Sequence, residues 1–212
     1  MSFVESVPAP WSPEPDPSFA SPGAAPRGQF RLHDRADPQR RAIEQFVAGV
    51  YRQHFGARLA QFMPVLVSRG GDGDPCAAAG YRSAVEPLFL ERYLPAPIEQ
   101  VLAEATGRPV ERESIVEIGQ FASQCAGEGR RLMRALGRHL LDCGFRWAVV
   151  TATADLRRLL RREGLGVLPL GTAQPHCLGD DAMRWGSYYR HAPKVLAGDL
   201  ITSVARLERG RR

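Results

Sequence analysis

The sequence predicts a mixed α/β fold, and three features predict it. Two strand-like runs, residues 62–68 and 76–82, flank a glycine-rich turn and read as a hairpin. A third apolar run, 115–118, leads through Gly127 and Gly129 into an amphipathic helix. A strand, a helix and another strand then follow between Phe145 and Gly171.

Residues 1–29 carry seven prolines, from Pro8 to Pro26, among alanines and serines. Such a segment buries too little apolar surface to offset its ordering entropy, so a disordered, solvated tail is expected, with Trp11 and Phe19 as partner anchors the lesser alternative. The folded domain is expected over 30–212 and opens with a short strand at 30–33. Asp37 as cap and Pro38 in the first turn then start a helix. Ile43, Phe46, Val47, Val50 and Tyr51 give it an apolar face, and Gly56 stops it. Gly70 to Asp74 have turn chemistry, and their spacing does not match a calcium loop. A helix over 97–106 ends at Gly107 and Pro109. The helix over 129–141 points Leu132, Met133, Leu136, Leu140 and Leu141 inward. Strands are expected at 145–152, 166–171 and 195–200, with a helix at 154–163 between the first two. No internal repeat is visible.

The composition narrows the function. No apolar run reaches the roughly 18 residues of a membrane-spanning helix, and the N-terminus lacks a basic head followed by an apolar core. A cytoplasmic location follows as the expectation. Its four cysteines, Cys76, Cys125, Cys143 and Cys177, have no metal or redox spacing and are expected to be reduced. Cys125 is a lesser candidate for a thioester-forming nucleophile. The five histidines have no zinc-site spacing, so no metal is expected. A net charge of +5 comes almost wholly from arginine spread along the chain. No nucleic-acid-binding motif accompanies it. Charge alone fits the phosphates of coenzyme A and an acidic carrier protein equally.

The chemistry concentrates between Ser114 and Gly144. Gly127 and Gly129 allow a tight turn and a close approach of backbone to ligand. The free N–H groups and dipole of the following helix suit a pyrophosphate, and Arg130 and Arg131 add positive charge. A plain helix cap is the bland alternative.

This block resembles the acyl-donor motif of GNAT enzymes, Arg/Gln-x-x-Gly-x-Gly/Ala, through Gln124, Gly127 and Gly129. From about Ala79 to Gly198 the chain also resembles the thermostable hemolysins. The carrying segments are Pro-Leu-Phe-Leu-Glu-Arg-Tyr-Leu at 87–94, Ile-Val-Glu-Ile-Gly-Gln-Phe-Ala at 115–122, Thr-Ala-Thr at 151–153 and Trp-Gly-Ser-Tyr-Tyr at 185–189. The second of these is similar to the Glu-x-Ser-Arg-Phe strand of acyl-homoserine lactone synthases, with Gly119 and Gln120 in place of Ser and Arg. The resemblance implies a GNAT-like fold: a mixed, mostly antiparallel sheet flanked by helices. It implies an acyltransferase that takes an acyl group from acyl-CoA or an acyl-carrier protein to a small amine acceptor. Phe121 and Ala122 would bind the thioester carbonyl, and Gln124, Gly127, Glu128, Gly129, Arg130 and Arg131 the rest of the donor. Glu117 falls on the catalytic glutamate and would be the general base. The tyrosine that many GNAT enzymes use as an acid is replaced by Leu160, leaving Tyr188 and Tyr189 as substitutes. For Glu117 the structural alternative is an ion-paired strand carboxylate, and for the tyrosines an aromatic packing corner. A membrane-lytic protein, as the family's name suggests, and a non-catalytic acyl-CoA-binding domain are the competing functions.

Overall fold

A computed structural model of the chain describes residues 28–71 and 74–209. The expected proline-rich tail lies outside the described residues as far as residue 27, as does the tip of the hairpin turn at 72–73. Strand β1 (Gln29–His33) precedes helix α1 (Arg40–Phe55) and the hairpin β2 (Val65–Gly71) and β3 (Asp74–Ser83). Helix α2 (Ile98–Thr106), strand β4 (Ile115–Ser123) and helix α3 (Glu128–Asp142) follow. The chain continues with β5 (Trp147–Ala152), α4 (Ala154–Arg162), β6 (Leu168–Thr172), β7 (Lys194–Asp199) and α5 (Leu200–Arg209). The seven strands form one sheet in the order β1-β2-β3-β4-β5-β7-β6, and only β4 and β5 run parallel.

Strand alternation divides the core into two layers. On one face, Ile43, Val47, Val50 and Tyr51 of α1 pack with Leu66, Ala78 and Ala122. The same face continues into α2, where Ile98 and Leu102 meet Ile115, Trp147 and Val149. On the other face, Leu132, Leu136 and Leu140 of α3 meet Val67, Ala77, Ala79 and Val116. Helix α4 adds Leu160, which packs with Ala152 and Leu196.

Four expectations need correction. Helix α1 begins at Arg40, not at Asp37-Pro38. The carboxylates of Asp34 and Asp37 instead accept backbone N–H groups of Ala36, Asp37 and Gln39, which curls the chain into local turns before the helix can start. The last strand stops at Asp199, whose carboxylate accepts the Thr202 N–H and so opens α5, an element the sequence reading missed. Its buried residues Leu200, Val204 and Leu207 have helical spacing. Residues 175–185 and 188–191, left without an element, form 3₁₀ turns. Finally, Cys76 and Cys125 are not reduced thiols; they form a disulfide, which also removes Cys125 as a nucleophile. A compartment argument cannot see that the Gln124 N–H bonds the Cys76 carbonyl and that Ala77 pairs with Ser123, setting the two cysteines side by side.

Candidate active site

β4 and β5 pair from Ile115–Trp147 to Ile118–Val150. Beyond that point β4 continues on β3 alone and β5 on β7 alone, so the two parallel strands part. The fork coincides with a bulge. Gly80 pairs with Gly119 and Ala78 with Ala122, leaving Gln120 and Phe121 opposite Ala79. Gln120 takes a left-handed φ of 55° there. Its side chain holds it in place, since Oε1 accepts the Met63 N–H (3.0 Å) and Nε2 donates to the Gln61 carbonyl (2.8 Å). The extra residue reverses the alternation of the strand. Glu117 and Ala122 share the α1/α2 face, whereas Ile118 and Phe121 share the α3 face. On the side facing β5, the backbone of 119–122 has no ladder partner.

The donor candidates gather beside this fork. Gly127 is the N-cap of α3 in the left-handed region (φ 76°), where a side chain would be strained. Gly129 is buried against Ser123 and Phe121; a Cβ added to it would lie 3.2 Å from the Ser123 side chain and 3.4 Å from the Phe121 ring. The glycines therefore let the first turn of α3 sit on the strand at the bulge. Gln124 is exposed, and its N–H is taken by the Cys76 carbonyl. Glu128 does not face the turn as a free carboxylate. It is buried and accepts from Arg69 (3.0 Å) and Arg131 (2.5 Å). Burial alone raises its pKa, but the two guanidinium groups outweigh burial and hold it below the usual range. Arg130 and Arg134 share Glu163 in the same way. Each group is two arginines around one carboxylate, so each keeps a net positive charge beside the turn.

The acceptor candidates lie on the opposite face, and their polar atoms are engaged. Glu117 is 3% exposed. Its Oε2 accepts the Phe89 N–H (2.9 Å) and its Oε1 the Leu90 N–H (3.1 Å), which caps the 3₁₀ helix Phe89–Tyr93. Arg82, its cross-strand neighbour on β3, reaches within 3.9 Å. Burial pushes the Glu117 carboxyl up, against the opposing pull of the Phe89 N–H, Arg82 and the Leu90 N–H. The Tyr188 hydroxyl donates to the Thr151 carbonyl (3.2 Å), and its buried ring meets Phe55 edge-to-face and Trp185 at a tilt. The half-buried Tyr189 bonds the Tyr93 hydroxyl at 2.7 Å. Burial raises the pKa of both phenols. Two residues that the sequence reading gave no role complete this face. Met63 fills the space over the facing glycines: a Cβ on Gly80 would lie 2.5 Å from it, and one on Gly119 2.6 Å. Thr151, at the β5 side of the fork, has a buried hydroxyl with no hydrogen-bond partner among the described residues; the Nε of Arg82 makes no hydrogen bond either, with Glu117 at 3.9 Å as its ion-pair partner. A glycine facing a glycine across two strands was the available signal for Met63.

Two surface cavities lie away from the fork. One of about 610 Å³ borders Glu91, Leu94 and Arg112, and one of about 540 Å³ borders Leu32, Asp37 and Tyr81. The fork is the better site candidate despite their size, because neither cavity brings together an unpaired strand edge, a glycine turn at a helix N-terminus and a buried carboxylate. Among the described residues no group of three or more His, Cys, Asp or Glu could hold a metal ion. No described helix is long and apolar enough to cross a membrane.

The sequence matches the thermostable hemolysin family over residues 33–204. The chain belongs to that family. No curated protein matches it. Several solved structures are similar to this thermostable hemolysin family member. A CoA-dependent acyl-homoserine lactone synthase, BjaI, with SAM and isopentyl-CoA, aligns at TM-score 0.59 and 12% identity, covering 86% of this chain and 89% of that one. TofI in an apo form aligns at 0.57 and 19%, covering 85% and 96%. FeeM, an N-acyl amino acid synthase from uncultured soil microbes, aligns at 0.56 and 12%, covering 84% and 94%. At such identities the likeness is one of fold. The fold is the GNAT-like one that the resemblance implied, with the mostly antiparallel sheet and flanking helices.

Proposed function

We propose that this chain transfers an acyl group from a thioester, acyl-CoA or acyl-carrier protein, to a small amine. The observation that carries the reading is the bulge at Gln120–Phe121, set where β4 and β5 part and next to the glycine turn of α3. A thioester lying in the fork would meet the unpaired backbone edge near Phe121 and Ala122, whose N–H groups stabilise the oxyanion as it forms. Its phosphates would meet the first turn of α3 at Gly127, Gly129, Arg130 and Arg131.

Glu117 is the base in this proposal. Each carboxylate oxygen accepts one N–H, which leaves lone pairs for the acceptor amine or for a water that relays its proton. The deprotonated amine attacks the carbonyl carbon, the C–N bond forms, and the C–S bond breaks to release thiolate. A thiolate is a good leaving group near neutral pH, so the reaction does not depend on a tyrosine acid at Leu160. Tyr189, half-buried, is better placed to protonate it than Tyr188, which is buried. The Thr151 hydroxyl, which has no hydrogen-bond partner among the described residues, is a candidate contact for a polar acceptor.

A cytoplasmic location belongs to the same proposal, since acyl-CoA and acyl carriers are made there. The Cys76–Cys125 bond argues the other way, because such bonds are uncommon in reducing compartments. Membrane lysis rests on the family's description alone. The test is mass spectrometry of small molecules from cells expressing wild type or Gly129→Trp. N-acylated amines should accumulate with wild type only; equal accumulation, or none, contradicts the reading.

A further inference from the structure

Gly80 on β3 and Gly119 on β4 face each other across the ladder, directly before the bulge. Glycine in the interior of a strand gives up packing and entropy, and it marks a place where something else comes close. Here that is a single side chain. A Cβ on Gly80 would meet the Cβ and Cγ of Met63, and one on Gly119 would meet its terminal methyl, Cε. The Met63 side chain therefore lies along the two glycines with its tip on β4. Its backbone is pinned at both polar atoms: the N–H donates to Gln120 Oε1 (3.0 Å), and the carbonyl accepts from Arg40 Nη2 (2.7 Å). What remains adjustable is the side chain, which is unbranched and pliable.

The tip of Met63 sits between the two groups on which the proposed transfer depends. Gly119 is two residues from Glu117 and three from Ala122, so about 10 Å of strand at most separates it from the unpaired edge at Ala122. On the α3 side the fork is closed, because Gly129 packs on Ser123 and Phe121 there. A chain attached to a thioester carbonyl in the fork has the α1/α2 side left to it. On the sheet, the other members of the Met63 cluster are Leu66, Ala78 and Ala122, which suit an alkyl chain and offer an amine no side-chain hydrogen bond.

We propose that Met63 is the end wall of the slot for the acyl chain and so sets the length of chain that the protein accepts. That role rests on the acyl-transfer reading and gives its site an acyl subsite. Met63→Ala vacates about three methylenes of apolar space, which an alkyl chain can fill. The test is calorimetry with straight-chain acyl-CoAs in one-carbon steps, and with the matching acyl-carrier proteins, in the absence of amine. Wild type should bind more tightly with length up to a limit. In Met63→Ala the limit should move up by about three carbons, each added methylene tightening binding about fourfold. Met63→Leu keeps the volume but draws the tip back from Gly119, so it should move the limit by about one carbon, and it serves if the alanine variant fails to fold. Met63→Ala with Gly119→Ala returns a methyl to the slot and should move the limit part of the way back; Gly119 has no left-handed φ to forbid it. No limit in wild type, an unchanged limit in the variants, or equal weakening at every length overturns the proposal. So does a change of acceptor preference without a change of chain length, when thiol release is followed over a panel of amines. No binding of either donor by wild type overturns both the slot and the acyl-transfer reading. A limit that moves as expected, with no thiol release with any amine, keeps the slot and removes the transfer reading instead.

Discussion

The two faces of the β4–β5 fork are built on different principles. The donor face is held by backbone geometry and a covalent bond: the left-handed Gly127, the close-packed Gly129 and the disulfide that ties the turn to β3. Its charged groups are arginines shared around buried carboxylates, and they leave the surface positive. The acceptor face is held by buried side-chain hydrogen bonds instead. Glu117, Tyr188 and Tyr189 each serve the architecture, and Met63 occupies the floor over Gly80 and Gly119. The difference teaches that, on the proposed reading, the donor side would be preformed, whereas an acceptor would have to displace or share contacts that already exist.

The largest effect should come from the covalent element of the donor face. The cysteines close a loop of 49 residues, and removing such a bond costs about 4 kcal/mol on the chain-entropy account. Cys76→Ser with Cys125→Ser should lower the denaturation midpoint by an amount of that order and weaken binding at the turn. An unchanged midpoint would break the contrast between the faces.

Next is Glu117. Glu117→Ala leaves the N–H groups of Phe89 and Leu90 and the Arg82 guanidinium without their carboxylate, at a cost of about 3 kcal/mol in denaturant unfolding. A loss of activity in Glu117→Gln beyond its loss of stability would separate the base from the cap.

Acid should strike the acceptor side at the segment that Glu117 caps. Burial raises the pKa of Glu91, but hydrogen bonds from Arg112, Ile98 and Leu88 outweigh it and hold the carboxyl at about 2. A depressed folded-state pKa means that stability is present above the ordinary carboxylate range and is lost as pH falls from there toward 2. Glu91→Gln should flatten that part of the stability–pH curve.

A smaller effect is expected for Gly127→Ala, about 1 kcal/mol of stability from the left-handed backbone, with a larger proportional loss in donor affinity. Tyr189→Phe should be the mildest, below about 1 kcal/mol, since only one neutral hydrogen bond to Tyr93 is lost.

The donor face was the more legible one in the sequence because its signals are local. Gly127 and Gly129 precede an amphipathic run, and strand, turn and helix are contiguous along the chain. The hairpin and most helices could be read for the same reason. The acceptor face depends on contacts between distant segments. Glu117 meets Phe89 and Arg82 only through strand register, and Tyr188 meets Thr151 only after a stretch of 3₁₀ turns. Gln120, which the resemblance marked only as a departure, turned out to anchor the bulge because the loop at Met63 comes back to it. The cysteine pair was hidden by the same dependence on register.

The central claim, thioester-dependent transfer at the fork, is tested most directly by thiol release. Purified full-length chain would be given acyl-CoA or an acyl-carrier protein with a panel of amines, and free thiol would be followed against Gly129→Trp. The account predicts thiol release that requires an amine, yields the N-acyl product in equal amount and disappears in the variant. No release with any donor and amine, or equal release by the variant, would contradict it.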